Sequence, residues 1–171
     1  MTNLIDNVGS TAQAALQREP GVVELFEVAG CDTAVIRVST TIDGLKTEIA
    51  DALHEIELLC RRAGVGVSGP PFVRYLDWAE GHLVAEIGMP VARPMPATGR
   101  VEPSQLPGGR VASVIHLGPY ETIPATYQLM TARLEELGLH ATGPMWEIYW
   151  TDPERFVQPE TWRTEIVYPV A

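Results

Sequence analysis

The sequence predicts an α+β fold built from two copies of one β-α-β-β unit. Two pairs of similar segments indicate the duplication: Gly69–Tyr75 resembles Gly143–Tyr149, and Ala85–Val91 resembles Thr164–Val170. A chain that repeats itself at this period folds as similar units that pack together. In both copies the predicted helix lies between antiparallel strands and does not alternate with parallel ones, which is typical of the α+β class.

The first repeat is predicted over residues 22–91. Val22–Val28 and Thr33–Val38 are rich in β-branched residues and flank a short turn sequence, which predicts a hairpin. A helix follows, because apolar residues recur every three or four positions over Leu45–Ala63. Thr41 or Asp43 can cap its start, and Gly64 is a typical left-handed stop. Two further strands complete the repeat: Phe72–Leu76 and His82–Met89.

The second repeat, residues 109–170, follows a segment rich in proline and glycine. That segment, Val91–Gly109, predicts an irregular crossover between the repeats. Gly109–Leu117 is then expected to be a strand, and a helix is expected to begin near Thr122 and end at Gly138. The predicted buried stripe of this helix is Ile123, Tyr127, Met130, Leu134 and Leu137. The last two strands are expected at Trp146–Trp150 and Thr164–Val170.

Residues 1–20 are polar with scattered alanines, and we expect a loose tail or short helix there, ahead of a single domain over residues 21–171. They lack the apolar centre of a secretion signal, and no apolar run reaches the roughly 18 residues of a membrane-spanning helix. Cys31 and Cys60 are therefore expected to be free thiols of a cytoplasmic protein, with a disulfide as the alternative.

The net charge of −10 argues against binding to nucleic acid or to an anionic membrane, because both need clustered Lys and Arg. No two histidines have ligand spacing, and Gly66–Gly69 lacks the Lys-Ser/Thr pair of a phosphate loop. We therefore expect no metal and no cofactor. Ser113 lacks a G-x-S-x-G elbow, which excludes a serine hydrolase of that type.

One difference between the two copies is a carboxylate: Glu147 stands where the first copy has Val73. Strand alternation places Glu147 and Tyr149 on one face. Aromatic faces attract cations by about 0.5–2 kcal/mol each, and a carboxylate among them would supply the charge partner. The residues expected around an aromatic or cationic guest are Tyr75, Glu147, Tyr149 and Tyr168. On strand pattern alone, a solvent-facing glutamate is the alternative.

Three further residues are candidates with a structural alternative. Tyr120, after the Gly118-Pro119 turn, is either a pocket wall or ordinary packing. Trp146, beside the glutamate, is either a pocket edge or part of the core. His116 is expected to hydrogen-bond at a strand end rather than to act in catalysis.

Four motifs, in order, resemble the GyrI-like small-molecule-binding family, which also provides effector-binding domains of multidrug-responsive transcription activators. They are Leu106–Ala112, His116–Glu121, Gly143-Pro144 with Glu147 and Tyr149, and Thr164–Val170. The resemblance implies antiparallel strands curved around a central ligand cleft. It also implies an acidic residue at the position of Glu147, at the base of an aromatic-lined pocket for flat, often cationic drugs.

The leading hypothesis is a cytoplasmic protein that binds hydrophobic, aromatic or cationic small molecules in drug or toxin sensing or protection. A first alternative, implied by some relatives, is a hydrolase that opens cyclopropane-containing toxins. In it Glu147 activates water, Tyr149 or Tyr120 orients the leaving group and Trp146 holds the flat substrate. A second alternative is a protein that contacts DNA gyrase. Direct DNA binding is not expected, because the amino-terminal segment is too short for a helix-turn-helix.

Overall fold

The computed structural model describes residues 13–171, which contain eight strands and two long helices. The strands are β1 (Glu24–Val28), β2 (Cys31–Thr41), β3 (Phe72–Ala79), β4 (His82–Pro90), β5 (Glu102–Leu106), β6 (Gly109–Leu117), β7 (Trp146–Tyr149) and β8 (Arg163–Pro169). The helices are α1 (Ile42–Ala63) and α2 (Ile123–Leu137). Antiparallel pairing of these strands, with helices between them in sequence, confirms the α+β class.

The chain forms two compact units. Unit 1 comprises the described part of Met1–Phe26, together with Arg110–Gly143 and Glu147–Ala171. Unit 2 comprises Glu27–Gly109 and Pro144–Trp146. The part of the predicted tail up to residue 12 lies outside the described residues, and residues 13–17 are helical.

In unit 2 the strand order is β3-β4-β2-β5. Val35 of β2 is paired with Gly88 of β4 on one side and with Glu102 of β5 on the other. The predicted hairpin between residues 22–28 and 33–38 is therefore wrong, because β4 and β5 occupy both edges of β2.

The segment Val91–Gly109 is less irregular than its composition predicts, because it contains β5. Pro103 lies inside this strand, opposite Ala34 of β2. β5 is the last strand in the sheet order, and an edge strand tolerates proline because one row of its backbone groups needs no ladder partner.

Helix α1 begins and ends where the sequence predicts. The hydroxyl of Thr41 accepts a hydrogen bond of 3.2 Å from the backbone N–H of Gly44, which caps the first turn. Gly64 ends the helix with φ of 62°, a left-handed conformation that glycine adopts without steric cost. The buried face of α1 consists of Leu45, Ala52, Ile56 and Cys60.

In unit 1, β8 pairs with β6 and is flanked on its other side by β7. Helix α2 ends at Gly138, with φ of 66°, as predicted. Its buried residues are Ile123, Met130 and Leu134, whereas Leu137, predicted in the buried stripe, is exposed.

Each unit buries one glutamate from the repeated Glu-Ile segment and pairs it with arginine. Glu86 of β4 accepts a hydrogen bond of 2.9 Å from Arg37 in unit 2. Glu165 of β8 accepts hydrogen bonds from Arg18 (2.5 Å) and from Nε1 of Trp150 (2.8 Å) in unit 1. Such pairing offsets the cost of taking a carboxylate out of water.

Cys31 and Cys60 are free thiols, as expected. Within residues 13–171, no helix combines the length and the apolar character that crossing a bilayer requires.

Candidate functional site

The carboxylate of Glu147 is the centre of a polar cluster inside unit 1. It lies on β7, and the residue is only 5% exposed. Tyr149, two residues along the same strand, donates its phenol hydrogen to Oε2 of Glu147 over 2.7 Å. The phenol of Tyr127, on α2, donates to Oε1. Burial and two phenol donors rule out the alternative of a solvent-facing glutamate.

Aromatic rings that contact one another lie next to this carboxylate. The ring of Tyr120 meets the ring of Tyr149 edge to face, with centroids 5.9 Å apart and planes at 82°. On another side Tyr120 contacts Trp162, at 4.9 Å between centroids and 38° between planes. Both distances lie in the range where aromatic pairs stabilise each other beyond simple burial. Tyr120 therefore belongs to the aromatic part of the cluster.

The electrostatics of the cluster affect the phenols that surround it. Burial raises the pKa of Tyr120 to about 12, with smaller contributions from the negative charges of Glu147 and Asp152. Burial also raises the pKa of Tyr168, with a smaller contribution from the negative charge of Glu147. Both shifts have the same cause, because a phenolate would have to form in a partly dry environment close to a carboxylate. Tyr120 and Tyr168 are therefore neutral phenols at physiological pH.

Two members of this cluster were not predicted as site residues. Tyr127 was expected only in the buried stripe of α2, and Trp162 had no predicted role at the site. A signal for Tyr127 was present, since a tyrosine in an apolar helix stripe needs a partner for its hydroxyl. The sequence did not indicate that this partner would be Glu147, because the two residues lie on different elements.

Tyr75 and Trp146, the other predicted ligand contacts, belong to unit 2. The backbone N–H of Tyr75 donates to the carbonyl of Met145 over 3.0 Å, and its ring lies 6.4 Å from that of Trp78. Trp146 is 3% exposed, as expected for a core residue.

The cluster combines a fixed anion with aromatic rings. A buried carboxylate whose two oxygens accept from phenols is held in one orientation, and the neighbouring ring faces carry partial negative charge. Such a group can attract a positive charge, or it can accept a proton from water. Within residues 13–171, no three metal-ligating side chains come together.

The sequence model of one protein family, the GyrI-like small molecule binding domain, matches residues 26–171. The chain belongs to this family. It is a small-molecule-binding domain. No curated protein matches the chain.

Solved structures share its fold, among them three of low sequence identity. The EcmrR C-terminal domain is 21% identical, with a TM-score of 0.75 over 88% of this chain and 97% of that one. A hydrolase from Listeria innocua is 18% identical, with a TM-score of 0.63 over 95% and 98%. SAV2435 bound to tetraphenylphosphonium is 12% identical, with a TM-score of 0.59 over 88% and 94%.

Proposed function

We propose that this domain binds hydrophobic aromatic cations and that Glu147 recognises their positive charge. The observation that carries the proposal is the buried carboxylate of Glu147, held by the phenols of Tyr127 and Tyr149. The rings of Tyr120 and Trp162 continue the same cluster. An anion and aromatic faces in one place both favour a cation with an apolar surface.

Burial strengthens this recognition. Glu147 is shielded from solvent, so its attraction for a bound charge is screened less than that of a surface carboxylate. The two phenols hold the carboxylate in place before a ligand arrives, and such preorganisation lowers the entropic cost of binding. Each aromatic face adds about 0.5–2 kcal/mol of attraction for a cation.

Further support comes from outside the cluster. The net charge of −10 attracts cations at long range. SAV2435, which shares the fold, has been solved with tetraphenylphosphonium, a hydrophobic aromatic cation.

Tyr168 is proposed as a further member of the aromatic cluster, because the negative charge of Glu147 contributes to the rise of its pKa. Tyr75 and Trp146 of unit 2 remain predicted ligand contacts.

The proposed role is the sensing or sequestration of drugs and toxins in the cytoplasm. A reducing compartment agrees with the free thiols Cys31 and Cys60. The partner in this proposal is the small molecule, and contacts with nucleic acid, membrane or gyrase form no part of it.

The test is the affinity of Glu147→Gln for tetraphenylphosphonium, measured by calorimetry. We expect at least a tenfold loss, because the change removes the charge but nearly preserves the shape. Affinity for neutral triphenylphosphine oxide should change little. Glu135→Gln, which makes the same substitution on the exposed face of α2, is the matched control. Equal affinity of wild type and Glu147→Gln for the cation would refute the proposed role of Glu147.

The second candidate function is the hydrolysis of cyclopropane-containing toxins. It is favoured by the phenol-held carboxylate, which could take a proton from water, and by the shared fold of a hydrolase from Listeria innocua. Under this hypothesis Tyr149 or Tyr120 orients the leaving group, and Trp146 stays a predicted contact of the flat substrate.

Incubation with a cyclopropane-bearing DNA alkylator, followed by mass spectrometry, tests this candidate. A product heavier by one water, formed faster than in buffer and lost in Glu147→Gln, would establish the hydrolase. Consumption at the rate of the buffer control would leave binding alone.

A further inference from the structure

The buried ring of His116, at the end of β6, is hydrogen-bonded through both of its nitrogens. The residue is 5% exposed. Its Nδ1 lies 2.8 Å from the hydroxyl of Thr126 on α2, and its Nε2 lies 3.1 Å from the carbonyl oxygen of Pro119. The hydroxyl of Thr122 lies 3.2 Å from the same Nε2. The ring thus connects the turn after β6 to the first turns of α2.

These contacts assign the ring proton. A carbonyl oxygen can only accept, so Nε2 carries the hydrogen and donates it to Pro119. In the neutral ring Nδ1 is then an acceptor, and Thr126 donates its hydroxyl hydrogen to it. One imidazole therefore makes two directed hydrogen bonds to two different segments of unit 1.

The turn next to this ring requires glycine because of its backbone conformation. Gly118 has φ of 133°, a conformation that favours glycine. A Cβ at Gly118 would lie 3.4 Å from the hydroxyl of Thr122 and 3.7 Å from Nε2 of His116. The backbone N–H of Gly118 donates to the carbonyl of Trp162 over 2.9 Å, which ties the turn to the tryptophan that contacts Tyr120.

Each residue held by the ring directly precedes a phenol of the Glu147 cluster. Thr126 precedes Tyr127, which donates to Glu147, and Pro119 precedes Tyr120, which packs against Tyr149. We propose that His116 is a positioning residue that sets both phenols around Glu147 without touching the ligand. Its effect on ligand affinity rests on the proposed function, whereas its effect on the two phenols does not.

The decisive variants are at Thr126, because this residue is partly exposed and its replacement spares the core. Thr126→Val removes the hydroxyl that binds Nδ1, and Thr126→Ser keeps it. Thr47→Val makes the same change on the exposed face of α1, in unit 2, and is the matched control. Two quantities are measured: the NMR chemical shift of the Tyr127 Cζ carbon in tyrosine-labelled protein, and the dissociation constant of tetraphenylphosphonium.

Thr126→Val should shift the Tyr127 resonance and weaken cation binding roughly three- to tenfold, as expected for one lost hydrogen bond. Thr126→Ser and Thr47→Val should retain the wild-type values of both. The proposal is overturned if Thr126→Val lowers only the melting temperature while the resonance and the dissociation constant stay at wild-type values. If wild type itself fails to bind the cation, the proposed function fails, and the resonance still decides the role of His116.

A second pair of variants tests the hydrogen bonds of Nδ1 and Nε2 separately. The amide of His116→Asn reaches the position of Nδ1, and that of His116→Gln reaches the position of Nε2. Asn should preserve the Tyr127 Cζ shift and alter that of Tyr120, and Gln should do the reverse. Identical changes in the two variants would contradict separate positioning of the two phenols.

Discussion

Tyr149 and Glu147 lie two residues apart on β7, and the phenol of the first donates to Oε2 of the second over 2.7 Å. Alternation along a strand places such residues on one face, so the chain itself brings the pair together. The second donor, Tyr127, comes from α2 and reaches Oε1. The orientation of the carboxylate therefore depends on local contacts as well as on contacts between elements.

The first prediction concerns this local contact. Tyr149→Phe should lower the free energy of unfolding by about 1–3 kcal/mol, because a buried carboxylate loses a hydrogen-bond donor. In a Glu147→Leu background the same change should cost much less, since no acceptor charge remains. Urea unfolding of the four proteins gives the coupling energy. Equal costs of Tyr149→Phe in both backgrounds would mean that the hydrogen bond contributes nothing to stability.

The second prediction concerns alkaline pH. The pKa of Tyr120 is raised from 10 to about 12 in the folded protein, so the folded state holds this proton more tightly than the unfolded chain. The resulting contribution to stability is complete below pH 10 and is lost as the pH rises towards about 12. Tyr120→Phe should therefore lose stability less steeply than wild type in this window. Urea midpoints measured along a pH series check this, and parallel curves would contradict the shift.

The third prediction concerns the buried ion pair of Arg18 and Glu165, whose side chains are 15% and 7% exposed. Arg18→Met should destabilise the protein by about 3 kcal/mol, because it leaves a buried carboxylate without its charge partner. Adding Glu165→Gln should restore part of the loss. Arg61→Met, which breaks an exposed pair with Glu57, should cost less than about 1 kcal/mol. Similar costs for Arg18→Met and Arg61→Met in urea unfolding would show that burial does not distinguish the two pairs.

The fourth prediction concerns close packing around Gly88 in β4. A Cβ at this position would lie 2.7 Å from Cγ1 of Val35 and 2.8 Å from both the Ala34 carbonyl and Cζ of Phe72. Gly88→Ala should therefore cost about 1–3 kcal/mol through overpacking. Gly66→Ala is the control, because its nearest neighbour would be 3.9 Å away. Thermal melting of both variants checks the contrast, and a Gly88→Ala variant as stable as Gly66→Ala would contradict it.

Much of the local structure was predictable. Helix α1 starts at Thr41, one of the two predicted caps, and stops at Gly64 as predicted, because capping and the left-handed stop depend on residues next to the helix ends. The sequences of the other strands were also recognised, but β5 and the pairing of β2 were not. Turn residues beside a β-branched run predict a hairpin, but they do not reveal that β4 and β5 compete for the same strand edges.

The sequence by itself determined the α+β class, the limits of the helices, and the common face of Glu147 and Tyr149. These features follow from covalent spacing and from periodicities of two and 3.6 residues, which act within a single element. Only the tertiary structure decided that Tyr127 donates to Glu147, that Trp162 lies against Tyr120, and that Arg18 neutralises Glu165. Such pairs join residues far apart in the chain, and their choice depends on strand register and on the packing of a whole unit.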